Sequence, residues 1–225
     1  MARDVLESDP IAAVLAREHE RAVGDEDRLS ELRETIDAAK ADGTFTYDLY
    51  PPTVYLAIEP AMGRFMYLAA KSIGARRIVE FGTSFGISTI YLAAAARESG
   101  GEVIGSELIA EKAERAEANL GDAGLGDCTD IRVGDAMETL STVERPVDML
   151  FLDGWKDLYL PVLKMIQPKL RPGALVLADN IATFQRELEP YVDYVSDTAG
   201  PFRAVNVPFA SGLSFALYEG ETGAV

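Results

Sequence analysis

Residues 78–88 read Ile78-Val79-Glu80-Phe81-Gly82-Thr83-Ser84-Phe85-Gly86-Ile87-Ser88. A short apolar run ends in a glutamate, passes Gly82 and Gly86, and enters a stretch with helical periodicity. This pattern reads as a strand turning directly into a helix, with glycine supplying backbone conformations that a side chain disfavours. Outward from it the alternation repeats. Arg77–Phe81 reads as a strand and Gly86–Glu98 as a helix, then Glu102–Ser106 as a strand and Ala110–Leu120 as a helix. Thr129–Val133 is a strand followed by a short helix around Met137–Leu140, and Val147–Leu152 a strand followed by a helix through Tyr159–Leu170. Ala174–Ala178 is the last strand of the series, with Phe184–Val195 the helix after it. Repeated βα units with short connections imply a parallel sheet with helices on both faces, and right-handed crossovers make it doubly wound. Phe202–Phe209 and Leu213–Glu219 break the pattern: only Ala210-Ser211-Gly212 separates them, too little for a helical crossover, so they pair as an antiparallel hairpin. The expected fold class is α/β, a Rossmann-like doubly wound sheet, mostly parallel with a final antiparallel hairpin strand, plus N-terminal helices.

Upstream, from Asp9 to about Lys40, apolar residues recur at spacings of three and four. Ile11, Val14 and Leu15, then Leu29, Leu32 and Ile36, mark two amphipathic helices, the first opened by Asp9-Pro10 as N-cap and N1 proline. A loop from Gly43 to Thr53 closes on Pro51-Pro52, and residues 59–74 are again helical. Within the loop, Phe45-Thr46-Tyr47-Asp48-Leu49-Tyr50 suits either a cover over a flat ligand or packing against the sheet. The chain divides into a helical extension with a substrate-side loop, 1–58, and an α/β domain, 59–225.

Composition removes several chemistries. The net charge is -16, from 37 acidic against 21 basic residues, and the basic residues are scattered, so nucleic acid and anionic membrane are not expected partners. The single cysteine, Cys128, excludes an internal disulfide and a thiolate metal cluster. The single histidine, His19, lies in the charged stretch Arg17-Glu18-His19-Glu20-Arg21 and is expected to be solvated on a helix. Ser-His-Asp chemistry and His-ligated zinc are thereby set aside, leaving carboxylates, amides, lysine, tyrosine or a bound cofactor. The first ten residues carry no apolar signal region and no apolar run is long enough to span a bilayer, so a cytoplasmic location is expected.

Ligands of doubly wound sheets bind beyond the carboxyl ends of the strands, near the switch between the first and fourth. The turn at Gly82 and Gly86 is not the G-x-G-x-x-G that seats a pyrophosphate. Glu80, at the end of its strand, would repel phosphate but suits a cation such as the sulfonium of S-adenosylmethionine. Glu107 closes the second strand, where a carboxylate can accept both hydroxyls of a ribose, a demand shared by NAD and S-adenosylmethionine sites. Asp135 ends the third strand and suits either an adenine contact or a helix N-cap.

Two further segments carry the chemistry: Leu152-Asp153-Gly154-Trp155-Lys156-Asp157-Leu158-Tyr159 and Leu177-Ala178-Asp179-Asn180. Asp153 and Asp179 end neighbouring strands, so their carboxylates and the Asn180 amide oxygen converge at one mouth. Three hard oxygens suit Mg²⁺ or another small divalent cation. Lys156 lies one turn from Asp153, and Trp155 could wall an acceptor pocket or pack into the core.

Glu80-x-Gly82, Glu107, Asp153-x-x-Lys156-x-x-Tyr159 and Asp179-Asn180 together resemble the class I S-adenosylmethionine-dependent O-methyltransferases of the metal-dependent catechol and caffeoyl-CoA type. The resemblance covers roughly residues 58–220. It implies a cofactor contacted by Glu80, Ser88 and Glu107, a metal held by Asp153, Asp179 and Asn180, Lys156 as the base, a small catechol-like or phenolic acceptor, and a homodimer through the N-terminal helices. With the turn residues added, the candidate cofactor set is Glu80, Gly82, Ser84, Gly86, Ser88, Glu107, Asp135, Ala136 and Asp153. Two departures stand out: Gly154 replaces a family histidine near the adenine, and Ile181-Ala182-Thr183-Phe184-Gln185 lacks the family's usual substrate-loop pattern. A methyltransferase that works without metal or acts on nitrogen, a nicotinamide dehydrogenase, and a cofactor-binding protein without turnover are the competing expectations.

Overall fold

The computed structural model describes residues 4–46 and 49–220, which leaves Tyr47 and Asp48 of the aromatic loop outside the described residues. The N-terminal part forms α1 (Asp9–Val23), α2 (Glu26–Asp42) and α3 (Pro60–Ser72). The α/β part runs β1 (Arg77–Phe81), α4 (Ile87–Glu98), β2 (Glu102–Glu107), α5 (Ala110–Asp122), β3 (Thr129–Val133), α6 (Ala136–Thr139), β4 (Val147–Leu152), α7 (Tyr159–Ile166), β5 (Leu170–Ala178), α8 (Gln185–Ser196), β6 (Phe202–Val207) and β7 (Leu213–Tyr218). The seven strands form one sheet in the order β3-β2-β1-β4-β5-β7-β6. β7 runs antiparallel to both β5 and β6. This is the Rossmann-like sheet with a reversed hairpin strand that the alternation of elements demands.

Strands buried on both faces read as unbroken apolar runs, because successive side chains point to opposite layers. β4 shows this directly. Met149 and Phe151 pack into one core with α3, α4 and α5, while Leu150 and Leu152 pack into the other with α7 and α8. Leu6, Ile11, Val14, Leu15, Tyr55 and Ile58 join the first of these cores, so the N-terminal extension shares its packing with the sheet domain. α2 is more exposed: Ile36 is buried and Leu32 only half-buried, and Leu29's side chain lies outside those described.

His19 departs from the solvated role expected of it. It is half-buried, its Nε2 lies 3.2 Å from the Tyr91 hydroxyl, and burial lowers its pKa. Its neighbour Glu18 turns inward and is fully buried among Arg17, Arg21 and Arg115. At the opposite, amino-terminal edge of the sheet, Asp148 accepts from the backbone N–H groups of Arg76 and Arg77, both at 2.8 Å, and from Arg171 Nε at 2.5 Å. Among the described residues, no helix is long and apolar enough to cross a membrane.

Candidate active site

β1 and β4 lie side by side at the switch point, and their carboxyl-terminal turns interlock. Gly82 has φ +96°, and a side chain there would meet the Asp153 carbonyl carbon and oxygen at 2.7 and 2.6 Å. Across the gap, a Cβ on Gly154 would stand 2.4 Å from the Phe81 ring. Each turn therefore leaves out a side chain so that the other fits.

Glu80 is fully buried under this turn. Ser88 Oγ donates to its Oε1 at 2.6 Å, and Thr89 and Thr83 donate to its Oε2 at 2.5 and 3.2 Å. Burial pushes its pKa up to about 7, against the hydroxyl hydrogen bonds that favour the charged form. β2 accommodates the arrangement because Gly105 lacks the Cβ that would fall 2.3 Å from Thr83 Oγ1. Glu107 accepts from Ser84 N at 2.7 Å and from Ile109 N at 3.0 Å, which ties the first turn to the end of β2. Ser84 itself sits at φ +48°, an uncommon conformation for a residue with a side chain. Asp135 caps α6, accepting from Met137 N at 2.8 Å, and Ala136 is buried behind it.

The second half of the site stands on β4 and β5. Lys156, in a single 3-10 turn before α7, donates to the Tyr159 hydroxyl at 2.8 Å and to Asp153 Oδ1 at 3.4 Å. Its ammonium also lies over the Tyr159 and Phe184 rings, at 5.0 and 5.6 Å from their centroids. The side chains of Lys156 and Asp153 are only 17% and 13% exposed, so Lys156 is not a solvated helix residue. Burial lowers the Lys156 pKa and raises that of Asp153 well above the usual carboxylate range. Lys156 partly offsets the rise and Asp179 adds to it. Asp179 is raised too, first by burial, and Glu59 adds to the rise. Asn180 follows in the left-handed region at φ +68°.

Sequence reading missed Ser211. Its Oγ donates to Asp179 Oδ1 at 2.5 Å, from the turn between β6 and β7. That turn also receives the N–H groups of Ile181 and Ala182 and is held by Glu59, which accepts from Ala210 N. No local sequence signal marks such a partner, because a sheet crossover brings it in. Trp155 packs against the α7–α8 core, one of the two roles expected of it, and its ring centroid lies 5.5 Å from that of Tyr50. Tyr50, Pro52, Leu108, Glu111 and Trp155 are among the residues lining a cleft of about 440 Å³ beside the end of β2.

Could these residues hold a divalent cation? Two carboxylates and an amide are hard oxygen donors, and acidic neighbours add to the raised pKa of each carboxylate, Asp179 to that of Asp153 and Glu59 to that of Asp179, so the donor chemistry and charge fit. The carboxylates are also engaged by the protein: Asn180 N and Ser211 donate to Asp179 Oδ1, and Asn180 Nδ2 to its Oδ2. Among the described residues, no group of three or more His, Cys, Asp or Glu gathers as a metal cluster.

A methyltransferase-domain family model matches residues 79–181, the segment from β1 through the loop after β5. The chain is 36% identical over 127 residues to catechol O-methyltransferase from Mycobacterium tuberculosis, covering 56% of this chain and 57% of that protein. It spans little more than half the length of the curated relatives it matches first. Among solved structures, it is similar to the O-methyltransferase TomG from Streptomyces achromogenes in complex with SAM, with TM-score 0.69, 25% identity and coverage of 84% and 89% of the two chains. It is also similar to a cofactor-bound protein from MTB, with TM-score 0.68, 26% identity and coverage of 98% and 100%. Fold, site and similarity define a class I S-adenosylmethionine-dependent methyltransferase. Within that class the chain is similar to O-methyltransferases of the catechol and caffeoyl-CoA type.

Proposed function

We propose that this protein transfers a methyl group from S-adenosylmethionine to a hydroxyl of a small catechol-like or phenolic acceptor, assisted by a divalent cation. One observation carries the reading. The polar constellation of Asp153, Lys156, Tyr159, Asp179 and Asn180 stands at the ends of β4 and β5, directly beside the interlocked turn of β1. S-adenosylmethionine supplies a methyl group activated by its sulfonium, and Mg²⁺ supplies a charge that lowers the pKa of an oxygen bound to it.

The chain's own residues do the rest. Gly82, Ser84 and Gly86 shape the turn on which the cofactor rests, with Glu80 and Ser88 holding it from beneath. Glu107, Asp135 and Ala136 stand on the ribose and adenine side. Asp153 faces both the cofactor turn and the proposed cation site, which it shares with Asp179 and Asn180. Lys156 takes the acceptor's proton at Nζ; burial favours its neutral form, and Tyr159 and Asp153 aim it. Methyl transfer disperses charge, so alignment by these fixed groups is the main source of rate, with roughly 7–11 kcal/mol available in principle from proximity. Tyr50 and Trp155 give the cleft an aromatic wall suited to a flat acceptor. No nucleic-acid or membrane partner is proposed, and a homodimer is open to light scattering.

One observation favours a metal-independent version: Lys156, Ser211 and Asn180 already supply donors to both carboxylates. The deciding experiment measures methyl transfer to a panel of catechols and hydroxycinnamates, with and without EDTA. The metal-assisted reading expects loss of turnover in chelator and recovery with Mg²⁺ or Mn²⁺. Full activity in EDTA selects the metal-independent enzyme, and no transfer to any hydroxylated acceptor overturns the proposal.

A further inference from the structure

The cofactor turn holds three residues in the left-handed region within five positions, Gly82, Ser84 and Gly86 at φ +96°, +48° and +83°. A backbone of this kind, with a serine among the three, persists only where its surroundings over-determine it. Glu107 holds Ser84 by its N–H, and the next residue, Phe85, is gripped at its ring and its carbonyl from outside the β1–α4 unit. Its ring stacks on Tyr55, with centroids 4.2 Å apart and planes 29° from parallel. The buried Lys112 ammonium lies 5.2 Å from the same ring's centroid and donates to Val54 O at 3.2 Å. The Phe85 carbonyl accepts from Asn119 Nδ2 at 2.9 Å.

Each grip leads back to the N-terminal helices. The Tyr55 hydroxyl donates to Glu18, which lies fully buried on α1 against Arg17 and Arg21. Tyr55 N donates to Asp25 Oδ2 at 3.0 Å, and Asp25 is paired with Arg28. Arg17 Nη2 donates to Asn119 Oδ1 at 2.7 Å, so α1 reaches the Phe85 backbone as well as its ring. A helix that served only to cover apolar surface would not need a buried carboxylate, because burying one without partners is costly. Here the carboxylate is retained and supplied with several donors, one of which is the tyrosine that stacks on the cofactor turn.

We propose that Tyr55, anchored by Glu18 and joined at the Phe85 ring by Lys112, is a positioning residue for the cofactor turn, which makes the N-terminal extension a working part of the cofactor site. Tyr55 acts through Phe85, keeping Ser84 and its N–H where Glu107 holds them. The proposal rests on the reading of residues 82–88 as the S-adenosylmethionine site.

The test compares wild type with Tyr55→Ala, Tyr55→Phe and Lys112→Met. Calorimetry gives the Kd for S-adenosylmethionine and S-adenosylhomocysteine, and steady-state kinetics give KM for each substrate and kcat. Thermal melts are recorded in parallel, so that all binding is measured well below each Tm. Tyr55→Ala should weaken both cofactors about 10-fold, and Tyr55→Phe, which keeps the stack, should recover most of that loss. Lys112→Met should weaken them about 3-fold. The kinetic penalty should fall on KM for the cofactor, with KM for the acceptor changed less than about 2-fold. Lower Tm with unchanged cofactor Kd in Lys112→Met, and in Tyr55→Ala where it folds, overturns the proposal and leaves the methyltransferase reading intact. Wild-type protein that binds neither cofactor overturns both.

Discussion

Replacing Glu80 by glutamine should flatten the pH dependence of folding stability, and the size of the effect follows from its burial. The carboxyl is fully inaccessible, and its partners are three neutral hydroxyls, with no ion-pair partner among the described residues. Desolvation by burial raises its pKa to about 7 from an ordinary value near 4.5. The folded state therefore keeps a proton that the unfolded chain gives up. Stability from this group is fully present below the unfolded pKa, and it declines as pH rises towards about 7. Between about pH 5 and about pH 8 the loss integrates to about 2.5 kcal/mol. Urea unfolding of wild type and Glu80→Gln at those two pH values isolates the term, since every other titrating group is common to both. Glutamine matches the protonated carboxyl without titrating, its Oε1 accepting from hydroxyls on one side and its Nε2 donating to hydroxyl oxygens on the other. Wild type should lose about 2.5 kcal/mol more than the variant across the interval, and saturating S-adenosylmethionine, a cation, should narrow the gap. Parallel pH profiles for the two proteins would refute the reasoning.

Three other perturbations test separate parts of the molecule. Glu107→Ala removes the acceptor for Ser84 N and Ile109 N along with the proposed ribose carboxylate, so calorimetry should show S-adenosylmethionine bound roughly 10–100-fold more weakly. Unchanged affinity takes Glu107 out of the site. Lys156→Met keeps the length of the side chain and loses the base, so kcat should fall roughly 10²–10⁴-fold while cofactor affinity holds; near-normal kcat leaves proton removal to the cation or solvent. Asp148→Ala leaves two backbone N–H groups and Arg171 without their acceptor, and urea unfolding should report a loss of about 2–4 kcal/mol. Burial raises the pKa of Asp148, but Arg171 and the two N–H groups more than reverse it, so its contribution is present at neutral pH and is lost as pH falls through the depressed value.

The strands were legible where burial on both faces makes the run continuous. Arg77–Phe81 and Val147–Leu152 have the same limits in sequence and structure, as does the edge strand Thr129–Val133, which has no fully buried residue. β5 starts at Leu170 rather than at Ala174, because Pro172 and Gly173 read as a turn. In the folded protein they occupy the register shift between Val147 and Met149, where a strand tolerates residues that would interrupt a regular ladder. The same logic divides the site. Glu80, Glu107, Asp153 and Asp179 were legible because strand ends face one edge of a doubly wound sheet, and a carboxylate there has few structural reasons to exist. Ser211 and Tyr55 were not, since their partners lie 32 and 37 residues away in sequence. Glu18 was hidden differently. In the sequence it is one charge in a charged helix, and only the packing of α1 against α5 shows that it is enclosed.

Both departures from the family pattern follow from close packing around the site. A side chain at Gly154 would overlap the Phe81 ring, and a side chain at Gly82 would overlap the Asp153 backbone. The ring at 81 occupies the space that a histidine at 154 would need, so the two positions are chosen together. Phe81 in turn lies against the Tyr159 ring, with centroids 6.3 Å apart, and Tyr159 receives the Lys156 hydrogen bond. The residue at 154 is therefore coupled to the aim of the proposed base through two packed aromatic rings. Likewise, the N–H groups of Ile181 and Ala182 bond to the turn at Ser211 and Gly212, where a Cβ on Gly212 would fall 2.6 Å from that of Ala182. That pairing carries Ser211 to Asp179. The altered loop is the backbone half of a clamp whose side-chain half ends on the proposed metal carboxylate, so this protein positions Asp179 from its reversed hairpin.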